Sequence, residues 1–561
     1  MGTLILSLIG LMIALTYQAP ITPPDAPLRT TLLFLGIFIA MSIVLAVFLR
    51  QAALRAFENI RDSHQGGPPI LGSGDPARTL YNMLTYRNFV RMRRLYWAAV
   101  LVGFYILIHN FHLPYIIERP PFLGLGDGTH SKIIQALPFF TVFIIALALF
   151  CRVDNAFTAG RWKLRHYLVY HIRWMLVVAF PLTCLGFTFD AVRRYVFDFE
   201  AWAFRYPAVH VVANFAVFIV LFILFPLVPR ILFRNRSLTR RPMRERLENL
   251  AARMEVKYRD LRVWVTGGGG ATAFVAGPIR WTRYIFFADT LLDGLSGPEI
   301  EAVAAHEYAH ARRNHLIVYM GLIFAFTACI SPLETYDLYS ALGISSGLAT
   351  EINVTAQLAA MLVFLLTFSY LAKRFELEAD ILGAQAVGDF PLFIIMLERL
   401  AILNGVPTTA WSPMHFSIAT RMERLTMFHM FPGEIEKYLS RIRKARTVIV
   451  LFIVLGIITL ISGGYRDLTR SPAEIAIRDY SYAIHKQDYV RAFRHLERWA
   501  PYVNQEDAAE EADKLSGKLL RAGWLEEGLL ALKRAGEFDT EKKALYQEKL
   551  EQLKRLIAPR N

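Results

Sequence analysis

The chain has 561 residues, of which 55% are hydrophobic and 19% are charged, and its mean hydropathy is +0.35. This composition excludes an ordinary soluble protein. The formal net charge is +15, but the basic residues lie between apolar segments, which favours membrane topology over nucleic-acid binding as their explanation. Cys151, Cys184 and Cys329 have no Cys-x-x-Cys spacing, which excludes a thiolate zinc site and a disulfide framework.

Nine apolar segments are long enough to cross a bilayer, which takes about 20 mostly apolar residues. The first lacks a basic leader and a small-residue cleavage site, so we expect a retained helix rather than a signal peptide. The fifth is the weakest, because His171 and Arg173 lie near its start. The spans are predicted at roughly 2–17, 31–49, 95–112, 135–152, 169–188, 208–233, 316–333, 355–372 and 447–463.

Lysine and arginine alternate between the loops in the way that the positive-inside rule describes. They are dense after spans two, four and six, whereas the loop 334–354 has none and 113–134 has only two. This pattern predicts that the N-terminus lies in the cytoplasm together with the segments 234–315 and 373–446. The chain beyond span nine is then predicted on the outer or periplasmic side.

The segment 236–315 has the pattern of a soluble insert. "RPMRERLENLAARMEVKY" has helical periodicity. "LRVWVTGGGGATAFVAG" alternates around a glycine turn and "RYIFFADTLLDGL" follows, which predicts two or three strands and then a short helix. Ser296 and Glu299 form a candidate capping box, with Pro298 in the first turn, so we expect the next helix to begin there.

That helix contains "AAHEYAHARRNH", residues 304–315, with a His-Glu-x-x-His motif. On a helix, His306 and His310 lie one turn apart on the same face, where two imidazoles can hold one zinc ion. Zinc lowers the pKa of a bound water to about 7, and Glu307 is near enough to take its proton. The alternative is a solvated helix end with two ordinary surface histidines.

A catalytic zinc site needs a third protein ligand on the same side of the membrane. "FELEAD" supplies Glu376 directly after span eight, and the two-span hairpin 316–372 returns the chain to the surface where the histidines lie. Asp380, one turn later, is expected to hydrogen-bond the outer nitrogen of a ligand histidine and orient it. Glu378 is the rival ligand, but it lies off the helix face that Glu376 and Asp380 share.

These ordered motifs resemble the membrane-integrated zinc metallopeptidases of the HtpX and CAAX prenyl protease type, which are gluzincins. The family pattern is a strand with Asn-Ala, His-Glu-x-x-His, a two-span hairpin, Glu-x-x-Ala-Asp, and a later His-Pro before an Arg. The resemblance covers about residues 236–430. It implies one zinc ion per chain, held by His306, His310 and Glu376, with Glu307 as the general base.

The resemblance also implies that His415 stabilises the oxyanion and that Arg421, like Asp380, lies behind the metal ligands. Two departures from the pattern stand out. Thr272 replaces the family asparagine, so the contact with the substrate backbone is expected to differ, and Phe416 replaces the proline. Substrate is expected to bind by strand addition along Ala271, Thr272, Ala273 and Phe274.

The last part of the chain predicts a separate helical domain. Its two segments "IRDYSYAIHKQDYVRAFRHLERWAP" and "ADKLSGKLLRAGWLEEGLLALKRAG" each have the pattern of helix, short turn, helix. Small and aromatic residues recur at positions that resemble tetratricopeptide repeats. We expect this domain to recruit a protein partner or a substrate.

The predicted fold is an α-helical multi-pass membrane protein of about nine spans, with a cytoplasmic zincin-like α+β catalytic domain and a C-terminal all-α repeat-like domain. The predicted parts are a six-span region at 1–235, a zinc peptidase domain at 236–446, a ninth span at 447–463 and a helical domain at 470–561.

The predicted function is zinc-dependent hydrolysis of peptide bonds at the cytoplasmic membrane surface, in membrane proteins or membrane-associated peptides. The partners are then a protein or peptide substrate, the bilayer and a partner of the C-terminal domain, without nucleic acid. A CAAX-type prenyl-protein protease is the enzymatic alternative, and a membrane scaffold with a structural or vestigial zinc site is a non-enzymatic one. A transporter would use polar residues in the spans, namely His109, His171 and His210.

Overall fold

The chain forms two compact units in the computed structural model of this protein. The first comprises Met1–Asp190, Val217–Ile323 and Leu358–Leu451, and the second Ala191–Ala216, Phe324–Gln357 and Phe452–Asn561. The structure describes residues 10, 13–14, 27–62, 76–119, 123–126, 128–157, 162–195, 199–267, 269–330, 346–410, 412–485 and 488–557. The predicted first span, 2–17, lies almost entirely outside these residues.

Long helices make up the first part of the chain, and the larger ones pack around an aromatic core. Phe104, Phe139 and Phe150 are fully buried there. Within this region the Asp154 carboxylate accepts hydrogen bonds from Arg93 at 2.9 Å and from Tyr167 at 2.7 Å, so its buried charge is paired. The helices are α1 (Pro27–Asp62), α2 (Pro76–His109), α3 (Leu113–Glu118), α4 (Thr129–Phe157), α5 (Leu164–Tyr195), α6 (Phe199–Arg205), α7 (Pro207–Leu224) and α8 (Leu227–Leu232).

A four-stranded sheet follows, with strands in the order β1-β2-β4-β3. The central strand β4 is buried along its whole length, as its apolar sequence "YIFFA" requires. It pairs parallel with β2 and antiparallel with β3, while β1 pairs antiparallel with β2. The strands are β1 (Asn235–Ser237), β2 (Asp260–Trp264), β3 (Ala273–Ala276) and β4 (Tyr284–Ala288).

The strands and the short helix predicted for this part of the chain are present. The predicted two or three strands correspond to β2, β3 and β4, but the polar three-residue strand β1 was missed. The predicted short helix after them is α10 (Asp289–Gly294). Among the described strands, β3 lies at one edge of the sheet, so no other strand of that set pairs with its second side.

The sheet and the following helices share one apolar core. The predicted capping box is confirmed, because the Ser296 amide and hydroxyl both donate to the Glu299 carboxylate at 2.7 Å. The small residues Ala304 and Ala305 and the large Tyr308 are fully buried on the core side of α11 (Gly297–Arg312). These helices are α9 (Arg241–Arg253), α10 (Asp289–Gly294), α11 (Gly297–Arg312), α12 (His315–Ile330), α13 (Ser346–Val387), α14 (Phe390–Leu403), α15 (Ile418–Met430) and α16 (Gly433–Leu468).

The second unit contains a series of short amphipathic helices that pack on their neighbours in sequence. Alanine and leucine form its core, with Ala483, Leu496 and Ala512 fully buried. Arg205 on α6 forms a two-pronged ion pair with Asp479. The helices are α17 (Pro472–His485), α18 (Tyr489–Trp499), a 3-10 turn (Ala500–Tyr502), α19 (Gln505–Arg521), α20 (Leu525–Phe538) and α21 (Lys543–Ile557).

Several helices are long and apolar enough to cross a membrane. Among the described residues four qualify by themselves, at Leu28–Asn59, Thr129–Phe157, Pro207–Leu224 and Gly433–Leu468. Two bent pairs qualify only jointly, Leu164–Val177 with Ala179–Val192 and Gly297–Arg312 with His315–Ile330, which raises the number to as many as six.

These helices overlap predicted spans two, four, five, six, seven and nine, and spans three and eight fall largely on the long helices α2 and α13. We assign the spanning half of the second bent pair to α12, because α11 is packed in the protein core. The chain is thus an integral membrane protein with several spans, and the count of nine stays a prediction.

Candidate active site

Helix α11 brings the two motif histidines together as predicted. The Nε2 atoms of His306 and His310 lie 3.1 Å apart. They face one cleft because the spacing of four residues places both side chains on the same side of the helix. Burial lowers the pKa of His310 well below its ordinary value, which favours the neutral imidazole that binds metals.

Helix α13 supplies the third group of this cluster. The Glu376 carboxylate oxygens lie 3.6 Å from His306 Nε2 and 3.4 Å from His310 Nε2. Burial alone would raise the pKa of Glu376, but the neighbouring histidines lower it well below its usual value. One ligand atom from each residue lies within 4.8 Å of the others. Two imidazoles and a carboxylate are a donor set of catalytic zinc sites, so these residues fit such an ion.

A glycine on α13 lets this helix approach the motif helix closely. A Cβ atom on Gly383 would lie 2.8 Å from the Phe393 ring and 3.1 Å from the His306 backbone nitrogen. Both distances are too short for a comfortable contact. The small residue therefore sets the spacing of α11 and α13, on which the distance from Glu376 to the histidines depends.

Asp380 lies behind His306, as predicted. Its Oδ1 atom is 2.9 Å from His306 Nδ1, and Arg421 holds its other side through Nε at 2.7 Å and a second guanidinium nitrogen. Burial alone would raise the pKa of Asp380, but the Arg421 charge and hydrogen bonds lower it below its usual range. The carboxylate thus stays charged and fixes the orientation of the His306 ring.

Glu307 lines a cleft of about 420 Å³ together with His306, His310 and Glu376. Burial raises the pKa of Glu307 to about 7, although the backbone N–H of Val275 works against this by hydrogen bonding to the carboxylate. A carboxyl group with a pKa near neutrality can both accept and release a proton at physiological pH.

His415 reaches the same cleft from the loop before α15. Its Nδ1 atom lies 2.8 Å from Glu376 Oε2, and its side chain is 36% exposed. The Ser412 hydroxyl accepts hydrogen bonds from the backbone amides of Met414 and His415, which orders the loop. Phe416 occupies the position at which the family pattern has proline, and it packs against the apolar core that the sheet and the helices share.

The part of the chain that builds this cleft is similar to a known protein family. Residues 237–429 match the family model described as Peptidase family M48. Residues 237–429, termed the M48 domain for this match, are thus similar to that family. The resemblance expected from the sequence is therefore confirmed.

Two curated relatives are similar to part of the chain at low identity. A CAAX prenyl protease 1 homolog from Oryza sativa subsp. japonica is 27% identical over 229 residues, which are 38% of this chain and 53% of the relative. A Protease HtpX homolog from Janthinobacterium sp. (strain Marseille) is 25% identical over 172 residues, which are 29% of this chain and 57% of the relative. The chain thus spans little more than half the length of either.

One solved structure is similar over a longer part of the chain. The crystal structure of S. mikatae Ste24p matches with a TM-score of 0.46 and 16% sequence identity, over 72% of this chain and 100% of that one.

The edge strand β3 of the M48 domain comprises Ala273–Ala276. Of the four residues expected to bind the substrate backbone, Ala273 and Phe274 lie on this strand, and Ala271 and Thr272 precede it. The Ala271 carbonyl, which precedes the strand, accepts from the Asn404 side chain at 2.8 Å. The Thr272 carbonyl accepts from Ala288 N, and because backbone groups alternate along a strand, those of Ala273 and Val275 point away from β4.

The M48 domain also contains a buried polar group beside the cleft that the sequence analysis did not identify. His315 Nδ1 lies 2.8 Å from His310 Nδ1, and His315 Nε2 lies 3.1 Å from the Glu378 carboxylate. Arg313 and Arg446 contact the same carboxylate at 2.8 Å. Glu378, considered as a rival ligand, thus points away from the metal donors. His315 ends the quoted motif stretch, but its pairing depends on a residue 63 positions away.

Proposed function

We propose that this protein is a membrane-embedded zinc-dependent endopeptidase, with one zinc ion per chain held by His306, His310 and Glu376. The observation that carries the proposal is the position of Glu307 in the same cleft as this donor set. The match of the surrounding residues to peptidase family M48 supports it.

The protein side chains divide the chemistry between them. When bound, zinc would polarise the scissile carbonyl and acidify a water molecule. Glu307 would take the proton of the attacking water at its carboxylate and pass it to the leaving amine, a transfer that suits its raised pKa. Asp380 and Arg421 would hold His306 in one orientation, and His415 would stabilise negative charge on the carbonyl oxygen.

The substrate would bind along the open side of β3. The backbone groups of Ala273 and the carbonyl of Val275 face that side, whereas the Val275 N–H is hydrogen-bonded to the Glu307 carboxylate. An extended peptide could add to the sheet there as a further strand. Thr272 lacks the amide of the family asparagine, and its hydroxyl lies 3.3 Å from the Ala273 carbonyl. We therefore expect main-chain recognition with a broad choice of side chains.

The arrangement in the membrane is proposed from the loop charges. Nine spans would leave the N-terminus and the active site in the cytoplasm and the domain 470–561 on the outer or periplasmic side. The substrates would be membrane proteins or membrane-associated peptides, cleaved in quality control or processing. The paired helices of the C-terminal domain resemble tetratricopeptide repeats, and the domain would recruit a partner or a substrate.

Two alternatives remain. A CAAX-type prenyl-protein protease is compatible with the similarity to the rice CAAX prenyl protease 1 homolog. In a membrane scaffold, the C-terminal helices would bind partners and the metal site would be structural.

An experiment on the detergent-purified full-length chain separates these functions. An unfolded reporter protein, a farnesylated peptide ending in a CAAX sequence and the same peptide without the lipid are offered in parallel, before and after removal of metal by a chelator. The proposal expects cleavage of the reporter, loss of cleavage with the chelator, and recovery when zinc is added. Cleavage of the farnesylated peptide alone would favour the prenyl protease, and no cleavage of any substrate would favour the scaffold.

A further inference from the structure

The two candidate histidine ligands differ in what lies behind them. His306 Nδ1 faces a carboxylate directly, at 2.9 Å from Asp380. His310 Nδ1 faces a second imidazole, at 2.8 Å from His315 Nδ1. Two ring nitrogens at this distance form a hydrogen bond only if one carries a proton and the other does not.

The geometry determines which of the two nitrogens carries that proton. His310 Nε2 points towards His306 and Glu376, and it must be unprotonated to bind a metal. The single proton of the neutral His310 ring is therefore on Nδ1, and it is donated to His315 Nδ1. The proton of His315 is then on Nε2, which lies 3.1 Å from the Glu378 carboxylate.

His315 has little freedom to move. Its side chain is 2% exposed, and its ring stacks on Phe375 with centroids 4.5 Å apart and planes 5° from parallel. Asn314, with φ of 52°, forms the turn between α11 and α12 that directs the next residue back towards the site. The acceptor for His310 is thus fixed by packing as well as by hydrogen bonding.

Glu378 accepts the last hydrogen bond in the series from His310 through His315, and it too is held in place. Its side chain is 1% exposed. Arg313 lies 2.8 Å from its Oε1 atom and Arg446 lies 2.8 Å from its Oε2 atom, so the two guanidinium groups offset the charge of the carboxylate. A buried carboxylate without such partners would be costly. Arg446 also donates to the Arg313 carbonyl at 3.1 Å, which ties α16 to the end of the motif helix.

We infer that Glu378 and His315 are positioning residues that hold His310, through a hydrogen-bonded chain from carboxylate to imidazole to imidazole, in the tautomer and orientation that bind the metal. This inference rests on the proposed function. Asp380 does the same for His306 in one step, whereas His310 depends on two residues from different helices. Outer partners of this kind commonly contribute 10- to 100-fold to metal affinity.

Substitutions at His315 can separate positioning from packing. Asparagine places its side-chain oxygen near the position of Nδ1 and can accept the hydrogen bond from His310. Glutamine places its amide near the position of Nε2, so it can donate to Glu378 but cannot accept from His310. Phenylalanine keeps the stacking on Phe375 and offers neither hydrogen bond.

The test measures the zinc dissociation constant of the full-length chain in detergent by competition with a chromophoric chelator. We expect His315→Phe and His315→Gln each to weaken zinc binding about 10- to 100-fold, and His315→Asn to weaken it by less than about tenfold. The absorption spectrum of the cobalt-loaded chain, which reports ligand geometry, should change with His315→Phe and recover with His315→Asn. Thermal unfolding of the metal-free variants establishes that each one is folded.

The possible outcomes separate this inference from the proposed function. If His315→Phe binds zinc with the same affinity as the wild type, the inference is overturned and the peptidase proposal stands. Equal weakening by all three substitutions would overturn it in favour of a packing role. Failure of the folded wild-type chain to bind zinc would overturn both. For Glu378→Gln, a loss of affinity smaller than that of His315→Phe is expected, since the amide oxygen can still accept from His315.

Discussion

At the scale of single residues, Asp380 is the most tightly constrained charge in the site. Its side chain is fully buried between His306 and Arg421. Two guanidinium hydrogen bonds and one imidazole contact hold the carboxylate, so its position determines the orientation of the His306 ring. The pKa of Asp380 is lowered chiefly by Arg421, against the effect of burial, which keeps the charge that the imidazole contact needs.

We predict that Asp380→Asn weakens zinc binding about 10- to 100-fold, because the amide offers less charge to His306 and breaks the two-pronged contact with Arg421. Chelator competition on the purified chain measures the change. Asp389→Asn is the matched control, since Asp389 instead caps α14 by accepting from Leu392 N and asparagine caps helices equally well. Unchanged affinity in Asp380→Asn would refute the orienting role.

At the scale of secondary-structure elements, the spacing of α11 and α13 governs whether the three metal donors meet. Gly383 sits where these helices and Phe393 of α14 come together. A side chain there must displace backbone as well as a ring, because the His306 backbone nitrogen is one of the close atoms. The packing of two helices and the geometry of the metal site are therefore linked through one glycine.

We predict that Gly383→Ala destabilises the chain by about 1–3 kcal/mol through overpacking and also weakens zinc binding. Gly517→Ala in α19 is the control. A Cβ there meets only the Arg521 guanidinium, at 3.6 Å, so the gain in helix propensity should stabilise it by up to about 1 kcal/mol. Chemical denaturation and zinc titration follow both variants. A Gly383→Ala chain with wild-type stability and affinity would contradict this account.

The spacing of residues along the sequence predicted which site residues share a face of the same helix. His306, Glu307 and His310 follow from helical spacing alone, and Glu376 and Asp380 follow from their spacing plus the predicted hairpin. The pairing of His315 with Glu378 could not be predicted from spacing, because it depends on how α12 and α13 pack. Likewise, the glycine turn between β2 and β3 does not make them neighbours, since β4 lies between them in the sheet.

At the scale of the whole molecule, the distribution of lysine and arginine predicts on which side of the membrane each polar segment lies. The segment 373–446 follows an apolar span and begins with basic residues, whereas the chain beyond span nine follows one further crossing. An odd number of crossings between them would place them on opposite sides. This topology is open to direct measurement.

We predict that a membrane-impermeant maleimide labels Lys533→Cys but not Lys437→Cys in right-side-out membrane vesicles. Cys151, Cys184 and Cys329 are first replaced by alanine, so that each chain carries one thiol. Both lysines are well exposed, at 63% and 67%, so a difference in labelling reflects the membrane. Detergent permeabilisation should make both thiols reactive, and equal labelling before it would refute the topology.

The central claim is that the cleft around Glu307 hydrolyses peptide bonds with a zinc ion held by the neighbouring donors. Cleavage of an unfolded reporter protein by the purified chain, wild type beside Glu307→Gln, tests it most directly when the zinc content of both samples is measured. Glutamine keeps the shape of the side chain and cannot take a proton, so rate losses of several orders of magnitude are expected. The predicted result is that only the wild type cleaves the reporter, while both samples contain one zinc ion per chain. Equal cleavage by the two samples, or folded protein that contains no metal, would contradict the claim.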